Sequence, residues 1–134
     1  MAKRSTARKI AMQTLYQIDI AKIPFDEAFQ NVISEEKFSD ETINYAKKLV
    51  KSTLDNIDAI DNKIKIASKN WALNRMGFVD RNILRLAVCE IECLKENQIP
   101  VIINEAIELS KKFSGKDAQK FINGVLSFFA SKKD

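Results

Sequence analysis

Apolar residues recur along this chain at steps of three and four, the spacing of one face of an α-helix. A first stripe, Ala7, Ile10, Ala11, Thr14, Ile18 and Ala21, predicts a helix that Ser5 or Thr6 opens as its N-cap. Pro24 stops that pattern, and Asp26 to Ile33 predicts a short second helix. Ser39 followed by Asp40 and Glu41 reads as the next helix start, with acids near the positive end of the helix dipole. From there a stripe runs Ile43, Ala46, Val50, Thr53, Ile57, Ile60, Ile64, Ala67, Trp71. Leu49 and Leu54 widen it beyond a coiled-coil seam, which suits one long helix, or two nearly collinear ones, packed inside the chain's own core. A homodimer seam is the alternative use of the same stripe.

Asn74 to Gly77 interrupts the pattern, and Asp80 opens a helix with Ile83, Leu84, Ala87, Val88, Ile91 and Leu94 inward. Leu86, Cys89 and Cys93 form a second apolar stripe on the opposite side, so this helix is expected to be central, with both cysteines as small core hydrophobes. Pro100 starts the next segment, whose inner face is Ile103, Ala106, Ile107, Ser110 and Phe113, and Gly115 is expected to close it in the left-handed conformation. Asp117 then caps a last helix with Ala118, Ile122, Val125, Leu126 and Phe129 inward. No stretch alternates with period two over the length of a strand. The predicted fold is all-α, a compact bundle of six to seven helices forming a single domain over residues 1–134.

Composition narrows the chemistry. The 134 residues are enough for one domain to bury a core without disulfides or metals. There is no histidine, which removes every Ser-His or Cys-His nucleophile pair, the usual zinc signatures and the default general base at neutral pH. Gly77, Gly115 and Gly124 lie too far apart for a phosphate-cradling loop, and two cysteines cannot complete a four-ligand metal site. Glu105 with Glu108, and Glu92 with Glu96, are at helix-neighbour spacing but are tied to no nucleophile, so they read as solvated surface. No catalytic residue, cofactor or metal is expected, and the protein is read as a binding protein rather than an enzyme. With no charged-then-apolar leader and no 18-residue apolar run, a cytoplasmic protein with no membrane partner is expected.

The formal net charge of +4 conceals a layout. The first nine residues hold Lys3, Arg4, Arg8 and Lys9 and no acid; residues 19–62 carry a net −5; residues 63–134 return to +5. Basic ends around an acidic middle suit a polyanion at the ends. On the first helix Arg8, Met12, Tyr16, Lys9 and Gln13 fan across the side opposite the core stripe, which is either an RNA or partner surface or a plain solvated face. On the last helix Phe121 flanks the core stripe beside outward-facing Lys120 and Asn123, offering stacking, charge and hydrogen bonding together, or simply core.

Three stretches carry a family resemblance. Ile99-Pro100-Val101-Ile102-Ile103-Asn104-Glu105-Ala106-Ile107-Glu108-Leu109, then Lys111-Lys112-Phe113 and Lys120-Phe121-Ile122-Asn123-Gly124-Val125-Leu126, resemble the C-terminal half of the NusB family of bacterial transcription antitermination factors. Val79-Asp80-Arg81 with Ile83-Leu84-Arg85-Leu86-Ala87 and Glu90 is similar to that family's central helix, and Ala7-Arg8 with Gln13, Leu15 and Tyr16 to its first. The resemblance implies two helical subdomains, about 1–75 and about 76–134. It implies a protein that grips single-stranded boxA RNA together with NusE, a small-subunit ribosomal protein, within an RNA polymerase antitermination complex that acts notably on ribosomal RNA operons. Position by position, Arg4 and Arg8 match the family's arginine-rich start, and Asp117, Lys120 and Phe121 its RNA-facing turn and last helix. The resulting RNA-binding set is Lys3, Arg4, Arg8, Lys9, Asp117, Lys120 and Phe121, with Tyr16 and Asp80 on the NusE surface. Ser5 and Thr6 depart from the family pattern, standing where some members have arginine.

Overall fold

The structure, a computed structural model, describes residues 2–69 and 76–132. Trp71 and Asn74, which the sequence reading uses, lie outside the described residues, as does the subdomain boundary expected near residue 75. Seven α-helices follow in order among the described residues: α1 Ala2–Ala21, α2 Phe25–Ile33, α3 Asp40–Asp55, α4 Ile57–Ala67, α5 Phe78–Val88, α6 Ile99–Phe113 and α7 Lys116–Lys132. A π-helical turn, Cys89–Leu94, continues α5. The described residues contain no strand, in agreement with the all-α expectation.

Helix ends follow from local chemistry. Pro24 precedes α2 in extended backbone, and Pro100 sits in the first turn of α6, where a missing N–H costs nothing. The Ser39 hydroxyl accepts from the Thr42 amide at 3.1 Å and caps α3. The long stripe is divided at Asn56, whose side chain folds back to donate to the Ser52 carbonyl at 2.8 Å, giving two helices, α3 and α4. Three expected ends are corrected. Ser5 and Thr6 lie inside α1, which begins at Ala2. Gly115 is not left-handed, and α6 instead ends on extended Ser114. Asp117 lies in the first turn of α7 rather than before it.

Two helices are buried on more than one side. The Ala7 and Ile10 positions of α1 meet Phe29 and Val32 of α2 and Ala46 of α3 in a small cluster. One row further round, Ala11, Met12 and Leu15 join the main core with Leu49 and Val50 of α3, Ile60 and Ile64 of α4, and buried residues of α5, α6 and α7. The α5 segment is central as expected, with Ile83, Leu84, Leu86, Ala87, Val88 and Cys89 all buried. Burial also pushes the Cys89 thiol pKa up. Cys93, however, is exposed, because the wider turn after Val88 breaks the row that 100° steps extend to it. The inner row of α6 is Ile102, Ala106, Leu109 and Ser110, which leaves Phe113 off the core row and 37% exposed.

Candidate nucleic-acid interface

The start of α1 is built around a buried ion pair. Sequence places Arg8 and Met12 on a solvent face, yet they are 4% and 1% exposed. The Arg8 guanidinium donates from Nε and Nη2 to the two Glu90 carboxylate oxygens at 2.8 and 2.9 Å, and from Nη1 to Glu105 at 3.4 Å. Burial works against its charge, but the bonds and charge of Glu90 outweigh that, and the Arg8 pKa lies above its ordinary value. Arg8 is therefore corrected from an exposed cation to a buried one, and a phosphate reaching it would have to displace two carboxylates. Asn97 extends the network, donating to Tyr45 Oη at 3.0 Å and Glu90 at 3.3 Å. Arg4 closes it at the surface, donating to Asn97 at 2.7 Å with its guanidinium 4.7 Å over the Tyr45 ring.

Sequence reasoning missed Glu90 although a signal was present. The residue stands seven after Ile83 and three after Ala87, on the core row of its helix, where a lone carboxylate needs a buried cationic partner. The π-turn that follows closes with the Lys95 amide on the Glu90 carbonyl at 2.9 Å, with Lys95 itself left-handed.

The remaining expected residues are at the surface. Lys3 is exposed and paired with Glu41 at 2.8 Å. Lys9 is half-buried and, with Ser5, Thr6 and Lys112, lines a cleft of about 280 Å³ between α1 and α6. Asp117 and Lys120 are exposed on the first turns of α7, and Phe121 is half-buried against the main core. No hydrogen bond or ion pair joins these three to the α1 cations among the described residues; Lys112 near the end of α6 lines the same cleft as Lys9. Lys112 and Lys116 are further exposed cations that the sequence reading did not select, although Lys111-Lys112 and Lys116 were visible as charges flanking a turn. Among the described residues Lys9, Lys112, Lys116 and Lys120 make no ion pair, so their charge is available to an incoming anion.

Tyr16 packs against a residue that sequence did not single out and that lies near Asp80 in the chain. Tyr16 is half-buried, and Phe78 packs edge-on against it with centroids 6.4 Å apart. Phe78 is 37% exposed, carries the Arg81 guanidinium 4.4 Å from its ring, and precedes Asp80 by two residues at the start of α5. Asp80 is half-buried and accepts from Ser114 Oγ at 2.6 Å, which ties α5 to the α6–α7 turn.

Beneath this surface a second polar network fastens α1 to α5. Asp19 accepts from Arg81 at 2.5 Å through each oxygen, from Asn82 at 2.9 Å and from Arg85 at 3.1 Å. Arg85 also forks onto Asp61 of α4 at 2.8 and 2.9 Å. Desolvation raises the Asp19 pKa, but Arg81, Asn82 and Arg85 together hold it below the ordinary carboxylate value. Among the described residues no cluster of His, Cys, Asp or Glu could hold a metal, and no helix is long and apolar enough to cross a membrane.

Comparison with known proteins places this geometry. A model of the NusB family matches residues 5–131. Transcription antitermination protein NusB of Desulforamulus reducens is 44% identical over 131 residues, covering 98% of this chain and 92% of that protein. The protein of the same name from Bacillus subtilis is 43% identical over 125 residues, covering 93% and 92%. A chain in the crystal structure of antitermination factors NusB and NusE in complex with dsRNA superposes with a TM-score of 0.91 at 34% identity, covering 98% of each chain.

Proposed function

The chain belongs to the NusB family of transcription antitermination proteins, and on that premise we propose that it is a non-enzymatic RNA-binding adaptor. In this reading it grips single-stranded boxA RNA together with NusE in the cytoplasm, supporting antitermination by RNA polymerase on ribosomal RNA operons. The RNA-binding set is Lys3, Arg4, Lys9, Asp117, Lys120 and Phe121, with Lys112 and Lys116 added. Tyr16 and Asp80, with Phe78 between them, form the NusE surface. The division into halves at about residues 75 and 76 belongs to the same reading.

One observation carries it: among the described residues Lys112, Lys116 and Lys120 have no ion-pair partner around the α6–α7 turn, beside Phe121 and the exposed Asp117. Unpaired ammonium groups hold phosphates, an adjacent ring stacks an unstacked base, and a carboxylate accepts from a base amino group or a ribose hydroxyl. The described part of the Ile43–Trp71 stripe, by contrast, packs in the chain's own core at Ala46, Val50, Thr53, Ile60 and Ile64, which favours the adaptor over a homodimer seam.

Titration of labelled boxA RNA with the protein, with and without NusE and at two salt concentrations, tests the proposal. The expected result is salt-dependent binding that NusE strengthens. A protein that binds no RNA under either condition, or that forms a dimer indifferent to RNA on dilution, overturns it.

A further inference from the structure

Three clefts adjoin around the start of α1. The first, of about 280 Å³, reaches from Lys112 to Ser5. The second, of about 400 Å³, shares Ser5 and Glu105 with it and runs over Arg8 and Asn97 to Arg4. The third, of about 470 Å³, shares Arg4 and lies between α1 and α3, lined by Lys3, Glu41, Asn44, Tyr45 and Lys48. Neighbouring clefts share lining residues, Ser5 and Glu105 and then Arg4, so the three adjoin as a segmented groove from the C-terminal end of α6 to the face of α3.

We propose that an RNA strand seated on the α6–α7 turn continues along this groove and places an unstacked base in the α1–α3 cleft, beside Asn44, Tyr45 and Lys48. The inference rests on the RNA-binding reading above and assigns the far end of the strand's path.

Charge along the groove suits a phosphate backbone, because each carboxylate that lines it already has a cation. Glu41 is bonded to Lys3, which holds its carboxyl pKa below the ordinary value; Glu105 meets Arg8; Glu108 meets Lys111 at 3.1 Å. Among the described residues Lys9 and Lys112 make no ion pair at one end, and at the other Lys48 has an exposed contact with Glu96. Exposed pairs of this kind exchange partners at little cost. The α1–α3 cleft also offers what an unstacked base requires. The Arg4 guanidinium, lying over Tyr45, presents a flat cationic surface, and the exposed Asn44 amide makes no hydrogen bond among the described residues.

The test uses the full chain and a set of single-stranded boxA oligonucleotides lengthened one nucleotide at a time from either end. Wild-type affinity is expected to step up on extension at one end only. The Asn44→Ala, Lys48→Ala double variant is expected to lose that step, about tenfold in affinity, the worth of one or two net hydrogen bonds. It should bind the shortest RNA as wild type does, and it should melt as wild type, since both side chains are exposed. Lys120→Ala is expected to weaken every oligonucleotide. A wild type with no step, or a double variant that keeps it, overturns the groove while leaving the RNA-binding reading intact. Failure of the wild type to bind any oligonucleotide overturns both.

Discussion

At the scale of single residues, Arg8 shows what a helical wheel can and cannot say. The family resemblance puts it among the RNA-binding arginines, and its sequence neighbours Lys3, Arg4 and Lys9 encourage that reading. Its burial depends on Glu90, 82 positions away, and no local pattern reveals that distance in space. A hint existed in Met12, an apolar residue one turn along on the same side, which is costly on a true solvent face. The exposure of Lys120 and Asp117 was legible because an exposed charge needs no distant partner to explain it. Two outcomes separate these roles. Arg8→Ala strands a buried carboxylate and is expected to cost about 3–5 kcal/mol in urea denaturation. The slope of log affinity against log salt should stay as in wild type, provided it is measured where the variant is folded. Lys120→Ala is expected to do the opposite, leaving stability unchanged and lowering the slope by roughly 0.7, the share of one phosphate on a single strand. A lowered slope in Arg8→Ala would return that residue to the RNA contacts.

At the scale of helices, sequence fixes the elements well and their registers less well. The helical segments were legible because proline, capping serine and apolar spacing act within one turn, although apolar spacing leaves open the break at Asn56 that separates α3 from α4. Ser39 is the clearest case, and Ser39→Ala is expected to lower stability by about 1 kcal/mol through loss of the bond to the Thr42 amide. A shift of the urea midpoint with unchanged slope would show that effect, and an unmoved midpoint would refute it. The departures lie where geometry leaves the α-helical period. The π-turn after Val88 exposes Cys93, which a constant 100° step places in the core. Labelling with a thiol reagent under native conditions should therefore modify Cys93 quickly and spare Cys89, which is buried and donates its thiol proton to Ser52 at 3.3 Å. Equal protection of both cysteines would contradict the wider turn. The α6–α7 turn is the other departure. Ser114 there takes an extended backbone and bonds Asp80, so the turn is fixed by a tertiary contact that glycine statistics cannot supply.

At the scale of the whole molecule, the acidic middle and basic ends read from sequence become a set of ties between helices. Asp19 of α1 gathers Arg81, Asn82 and Arg85 of α5, and Arg85 carries the connection on to Asp61 of α4. Removing the negative charge from Asp19 would leave clustered guanidinium groups without their central partner. The folded Asp19 pKa lies below the ordinary value, so folding releases its proton, and the unfolded chain binds that proton more strongly. The stability this contributes is complete above the unfolded carboxylate value, about 4, and is lost as pH falls through the lower folded value. Thermal unfolding followed at pH values from neutral down to about 2 is therefore expected to show a midpoint that drops steeply below about 4. In Asp19→Asn the midpoint should be lower at neutral pH and fall less on acidification, since the amide cannot titrate. Parallel acid profiles for the two proteins would show that carboxylates elsewhere control acid unfolding. A converging pair of profiles would locate that control at the junction of α1, α4 and α5, on which the Tyr16–Phe78 surface rests.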